Sequence, residues 1–268
     1  MDREKEEAGF RRTEYRCGPE GGRIFGLLYR PEGIVHPPLI IFSHEMGRTH
    51  SSVAGYVEAL VQDGFAVYIY DIRGASDQSR SEGSMQELSA MTASADLEMI
   101  VSELLQSGEF DADRVVLAGA SLGGFASAVA AMRTPERFAG LVLLYPGFVL
   151  IADLHRDYGS LDRVPENFVF NGWFPVGRCF AADVWDFDPY SQIGRYEKPV
   201  LVLHGDSDPL LPISWSERVA AAYGNAEFHM VKGGQHGFRG PAQQEALLYI
   251  RQYLERIGVK DLPAGPEA

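Results

Sequence analysis

Apolar residues along this chain follow two alternating rhythms. Short unbroken runs, Leu39-Ile40-Ile41-Phe42, Ala66 to Tyr70, Val115 to Ala118, Leu141 to Tyr145, Pro199 to Leu203 and Ala226 to Val231, have the length and continuity of strands buried on both faces. Between them apolar residues recur at helical spacing, in Ser51 to Gln62, Thr92 to Gln106, the stretch from Ser121 to about Met132, Ser214 to Tyr223 and Pro241 to Ile257. Thr13 to Cys17 and Ile24 to Tyr29 add two earlier strands, joined by a turn with Gly18, Pro19, Gly21 and Gly22, and read as an antiparallel hairpin. Strands alternating with helices predict an α/β fold, a mostly parallel sheet of about eight strands flanked by helices through right-handed crossovers. In such sheets ligands gather at the carboxyl ends of the strands.

The alternation breaks after the sixth strand. Residues 147–194 are rich in aromatics and are expected to form a cap, or lid, inserted into a core of residues 1–146 and 195–268. Most of these aromatics are expected to pack the insertion onto the body. Trp173, Phe174, Phe180 and Trp185 are the candidates to line a substrate pocket. The charged start and the tail from Gly258 to Ala268, which holds two prolines, are expected to be frayed or disordered.

Composition narrows the function classes. At 268 residues with 46% hydrophobic and 23% charged positions, the chain can bury a large single core. A net charge of -13 repels phosphate backbones and anionic lipid heads, so neither nucleic-acid binding nor membrane insertion is expected. Cys17 and Cys179 are the only cysteines and give no disulfide framework. A charged N-terminus without an apolar signal segment, and no run approaching about 18 apolar residues, lead to the expectation of a cytoplasmic protein. His44 and His50 lie in no zinc-binding pattern and read as structural, so no metal is expected. Asp71-Ile72-Arg73-Gly74 reads as a structural turn tying the rim together. The glycine-rich stretch from Gly119 lacks the lysine of a phosphate-cradling loop.

That stretch points to different chemistry. In Val115 to Ala126 an apolar strand run enters Gly119-Ala120-Ser121-Leu122-Gly123 and continues at once into a helix, the arrangement of a nucleophile elbow, whose tight turn tolerates only small flanking residues. Serine is a weak nucleophile and needs a positioned base, which itself needs a carboxylate to fix its tautomer. Two further strands supply candidates at their carboxyl ends. His204-Gly205-Asp206-Ser207-Asp208-Pro209 follows one, and Gly233-Gly234-Gln235-His236-Gly237-Phe238 follows the other. Position alone leaves both Asp206 and Asp208 open as the acid.

With these motifs in hand, the chain resembles the α/β-hydrolases, and within them the bacterial cinnamoyl (feruloyl) esterase-like group. The resemblance runs from the Leu39 strand to the last helix. It implies Ser121 as nucleophile, Asp208 as acid because it stands fifth in H-G-x-x-D-x-x-x-P, and His236 as base from G-x-x-H-x-F. It places an oxyanion hole at the backbone N–H groups of Leu122 and Met46. Relatives often carry glycine where this chain has Glu45, whose carboxylate is expected to point away, towards Arg48 or Arg73. The implied activity is a serine carboxylic-ester hydrolase working through an acyl-enzyme on small aromatic, hydroxycinnamate-like or other apolar esters, with no cofactor. Readings as a peptidase or acylaminoacyl hydrolase, lipase, thioesterase, carbon–carbon bond hydrolase or catalytically silent binding protein remain open, as does a homodimer. The peptidase reading is disfavoured because no propeller-like repeat is found.

Overall fold

A computed structural model describes residues 5–7 and 9–260. The rest of the expected frayed start and the tail beyond residue 260 lie outside the described residues. Three strands open the chain: β1 (Lys5–Glu7), β2 (Phe10–Cys17) and β3 (Ile24–Pro31). They run antiparallel, and Cys17 pairs with Ile24 across the predicted hairpin. β1 is a short strand that the charge of the start had hidden.

The alternating part follows as β4 (Pro38–Ser43), α1 (Val57–Gln62), β5 (Ala66–Tyr70), α2 (Ala90–Gln106), β6 (Asp111–Ala120), α3 (Leu122–Arg133) and β7 (Gly140–Leu144). After residues 147–194 it resumes with β10 (Val200–Gly205), α7 (Ile213–Ala222), β11 (Ala226–Val231) and α8 (Pro241–Arg256). The nine strands form one sheet in the order β1-β2-β3-β5-β4-β6-β7-β10-β11, and every pair from β5 to β11 is parallel. This is the α/β-hydrolase architecture. α2, α3 and α7 pack on one face of the sheet and α1 and α8 on the other, each with its own apolar core. The central strands are buried along both faces, all six residues of β4 included, as their unbroken apolar runs required. Each such Leu, Ile or Val contributes about 1.5–3 kcal/mol.

Two predicted elements differ in detail. The helix expected over Ser51 to Gln62 is two 3₁₀ turns, His50–Ser52 and Ala54–Tyr56, before α1 begins at Val57. α2 starts two residues earlier than its apolar spacing indicates, because the Ser89 hydroxyl accepts the Thr92 N–H while the Thr92 hydroxyl accepts the Ser89 N–H.

Residues 147–194 have structure of their own: α4 (Val149–Tyr158), the strands β8 (Asn167–Phe170) and β9 (Phe174–Gly177), α5 (Cys179–Ala182) and α6 (Pro189–Gln192). β8 and β9 form a separate two-stranded antiparallel sheet. At its turn Asn171 and Gly172 both take positive φ (48° and 77°), and the Trp173 N–H bonds the Phe170 carbonyl. The ribbon rests on the segment before α2. A Cβ on Gly177 would lie 2.2 Å from the Gln86 carbonyl oxygen, and Ser89 Oγ donates to Asp183 at 2.6 Å.

Candidate active site

Six parallel strands end on one rim; β4, β6, β7, β10 and β11 each deliver a part of the site, and β5 ends in the turn that braces it. β6 runs into Ser121, which takes φ 51° and ψ -116°, a strained conformation for a residue with a side chain. The strain is held by its neighbours: the Ser121 N–H bonds the Leu144 carbonyl, and its own carbonyl accepts from Phe125 and Gly147. A Cβ on Gly119 would meet the Gly123 carbonyl oxygen at 2.2 Å, and one on Gly123 would meet the Ser43 oxygen at 2.4 Å. The start of α3 therefore rides directly on the end of β4, a contact only glycine permits.

β10 and β11 bring the other two groups. The Ser121 hydroxyl stands 3.1 Å from His236 Nε2, and His236 Nδ1 stands 2.9 Å from Asp208 Oδ2. A carboxylate only accepts, so His236 carries its proton on Nδ1 and leaves Nε2 free to accept from serine. Asp208 Oδ1 accepts the N–H groups of Leu210 and Leu211 at 2.8 and 3.0 Å. Burial pushes the Asp208 carboxyl up, but the hydrogen bond and charge of His236, with those two amides, outweigh it and hold the group below the usual carboxylate range. Asp206 is placed elsewhere: its Oδ1 accepts the Gly233 N–H at 2.7 Å. That bond ties the two loops together where a Cβ on Gly205 would fall 2.0 Å from the Gly234 oxygen.

Sequence reasoning had no assignment for His204, yet it supports the acid loop. Fully buried, its Nε2–H donates to the Leu211 carbonyl at 2.9 Å and its Nδ1 accepts from Ser216 at 2.7 Å. Burial lowers its pKa, so it stays neutral. His44 is likewise buried and neutral, donating from Nδ1 to the Glu45 carbonyl (2.7 Å) and accepting the Ile72 N–H at Nε2 (2.9 Å). His50 and the Arg80 N–H hold the Asp71 carboxylate, and Arg73 forms two hydrogen bonds with Asp96, so the Asp71-Ile72-Arg73-Gly74 turn braces the rim. Among the described residues no group of three or more His, Cys, Asp or Glu is placed to hold a metal ion.

Glu45 turns to neither expected arginine. Its Oε1 accepts from the Tyr145 hydroxyl at 2.9 Å and its Oε2 from Ser52 at 2.6 Å. Tyr145 follows β7 directly at φ 36°, and its ring packs against those of His236 and Phe238, both centroids 4.8 Å away. Arg73 is committed to Asp96, and Tyr145, 100 residues along the chain, is the donor that spacing could not reveal. Met46 and Leu122 line the cleft beside Ser121, and their backbone N–H groups bond no other backbone group among the described residues.

The cleft has a volume of about 1430 Å³. Of the four aromatics expected in it, Trp173 and Phe180 line it and Phe174 and Trp185 do not. Trp173 is 54% exposed and reaches across to Gly47, where a Cβ would lie 2.6 Å from its ring. Phe174 is turned into the core behind it, edge-on to Trp173. Trp185 packs instead on His155, 4.5 Å between centroids. Phe170, which the sequence gave no reason to single out, lines the cleft with them. Among the described residues no helix is long and apolar enough to cross a membrane.

Known proteins share this fold. Est1E from Butyrivibrio proteoclasticus with bound ferulic acid superimposes with a TM-score of 0.80 at 17% identity, over 90% of this chain and 99% of that one. An acetyl xylan esterase from Paenibacillus sp. R4 gives 0.70 at 16% identity, over 95% and 88%. The acylamino-acid-releasing enzyme of Rattus norvegicus is 28% identical over 188 residues, 65% of this chain but 24% of its own length, so this chain spans about a quarter of that relative. A 2-hydroxy-6-oxononadienedioate/2-hydroxy-6-oxononatrienedioate hydrolase of Paraburkholderia xenovorans is 25% identical over 234 residues, 71% of this chain and 78% of that protein. The model of the prolyl oligopeptidase family matches residues 51–256, from the 3₁₀ turns beside the rim to the end of α8, and with that span the chain belongs to the prolyl oligopeptidase family of α/β-hydrolases.

Proposed function

We propose that the chain is a serine carboxylic-ester hydrolase that works through an acyl-enzyme. The observation that carries this reading is the unbroken path from the Ser121 hydroxyl through His236 to Asp208, 3.1 and 2.9 Å per step, beside two uncommitted N–H groups. Ser121 Oγ attacks the ester carbonyl carbon while His236 Nε2 takes its proton, and Asp208 stabilises the resulting imidazolium. The carbonyl oxygen becomes an oxyanion, held by the N–H groups of Leu122 and Met46. Collapse breaks the carbon–oxygen bond, and His236 hands its proton to the departing alkoxide. Water repeats the sequence on the acyl-serine and releases the acid.

Residues 147–194 serve as the cap in this reading. Trp173, Phe180 and Phe170 give the cleft an apolar aromatic lining, which supports small aromatic or other apolar acyl groups, and the ferulic acid held by a protein of the same fold agrees with it. Stacking one ring contributes about 0.5–1.5 kcal/mol beyond the area buried.

A second reading has its own support. Family membership and the acylamino-acid-releasing relatives favour cleavage of an acylated amide by the same residues, with protonation of the leaving amine by His236. One comparison tests both: hydrolysis of methyl ferulate, p-nitrophenyl butyrate and N-acetylalanine p-nitroanilide by wild type and Ser121→Ala. An ester hydrolase gives a burst of p-nitrophenol stoichiometric with enzyme and loses about 10⁴-fold or more in the variant. Faster anilide than ester turnover moves the assignment to the amide reading, and more than a tenth of activity left in folded Ser121→Ala removes the serine from both.

A further inference from the structure

Because the Glu45 carboxylate is taken up by Tyr145 and Ser52, Arg48 is left without an anionic partner. Arg239, three residues beyond His236, is in the same position: no hydrogen bond or ion pair joins either guanidinium to another group among the described residues. Both are exposed, and what sets them apart from other solvated arginines of the chain is their shared place beside His236. The third arginine of the cleft, Arg156, is held by both Asp153 and Asp157. Both free guanidiniums also line an adjoining cavity of about 350 Å³, which shares Arg48, His236, Gly237 and Arg239 with the main cleft and is lined by no residue of 147–194. Arg48 and Arg239 thus lie beside His236 where the two cavities join.

We infer that this end of the cleft is an anion subsite, and that the substrates carry a carboxylate on their leaving group. The inference rests on the serine-hydrolase reading, because His236 must protonate the departing atom and the departing group therefore extends from the His236 side. Acyl groups lie towards Trp173 and Phe180, and the leaving group runs into the smaller cavity. A guanidinium presents paired N–H donors that match the two oxygens of a carboxylate, and two guanidiniums over one cavity compensate the chain's overall repulsion of anions.

Two butyrate esters of near-equal leaving-group acidity test the inference: 4-(carboxymethyl)phenyl butyrate and its N-methylamide. At low salt wild type is expected to favour the carboxylate by about tenfold or more in kcat/KM. That ratio should fall towards one in Arg48→Gln/Arg239→Gln, persist in part in Arg48→Lys/Arg239→Lys, and shrink in wild type as salt rises to about 0.5 M. Turnover of the neutral ester without a charge preference, or a preference that survives in the double glutamine variant, overturns the subsite. If neither ester is turned over, the hydrolase reading fails, and calorimetry with 4-hydroxyphenylacetate decides the subsite separately. Binding by wild type that is lost in the glutamine variant upholds it, and no binding by wild type overturns it.

Discussion

Asp206 and Asp208 stand two residues apart in one loop and do unrelated work. Asp208 faces His236 Nδ1, whereas Asp206 fastens the Gly233 amide. Asp208→Asn is therefore expected to lower kcat by about 10⁴-fold, because an amide can turn its N–H₂ to the imidazole and favour the wrong tautomer. Asp206→Asn keeps an oxygen for the Gly233 N–H and should cost less than tenfold; steady-state rates on one activated ester compare the two, and the reverse ranking would assign the acid to Asp206. Ser121 and His236 stood out in the sequence because each sits in a local motif at a strand end, whereas position left Asp206 and Asp208 open and only the family resemblance preferred Asp208, the carboxylate that faces His236 in the fold. The setting of Glu45 was not legible, since its partners Ser52 and Tyr145 come from separate segments that only the folded chain brings together. His44 carries a prediction about pH. Burial holds its folded pKa below the ordinary histidine value of about 6.5, so the unfolded chain takes up its proton first as pH falls. The stability it contributes is complete above about pH 6.5 and declines below it. Urea melts at pH 7.5 and 5.5 should show this loss in wild type and a smaller difference in His44→Gln, which lacks the titrating ring; an equal loss in both would remove His44 as its source.

Among the elements, the turn from β6 into α3 shows how local sequence sets the geometry of the rim. Gly123 lies against the Ser43 and His44 carbonyl oxygens, so Gly123→Ala must separate α3 from β4. A loss of about 2 kcal/mol in chemical denaturation is expected, with weaker ester turnover because the Leu122 N–H moves with the helix. Ser121→Ala should show the activity loss without a comparable loss of stability, and a fully stable Gly123→Ala would show that the backbone yields. Strands of this kind are legible from apolar runs because burial on both faces leaves no polar positions to blur them. The 3₁₀ turns from His50 to Tyr56 kept the apolar spacing of a helix but were shaped by contacts the pattern does not record, such as the His50 N–H on Asp71. The hairpin of β8 and β9 did leave a local sign, Asn171-Gly172, which suits the positive φ values of its turn. It went unread because Val169, exposed between the buried Phe168 and Phe170, is itself apolar and hides their alternation in the sequence.

At the scale of the molecule, sheet order brings six loops, separated by up to about two hundred residues, onto one rim, and this much follows from the alternation of strands and helices. Which aromatics face the cleft does not follow, because the adjacent Trp173 and Phe174 must face opposite sides of the chain and the sequence does not say which of the two sides is the cleft. That ribbon has two strands and no third, so its outer backbone groups lack the cooperative protection that each central strand draws from a neighbour on either side. In heavy water, amides of residues 167–177 should exchange deuterium well before those of β4, β6 and β7, as mass spectrometry of peptic fragments would record. Equal protection would make the ribbon part of the global folding unit. Faster exchange would identify a region that opens while the sheet stays shut, and with Trp173 at its turn each opening would briefly unroof Ser121 and set a ceiling on how often the site can exchange its contents with solvent.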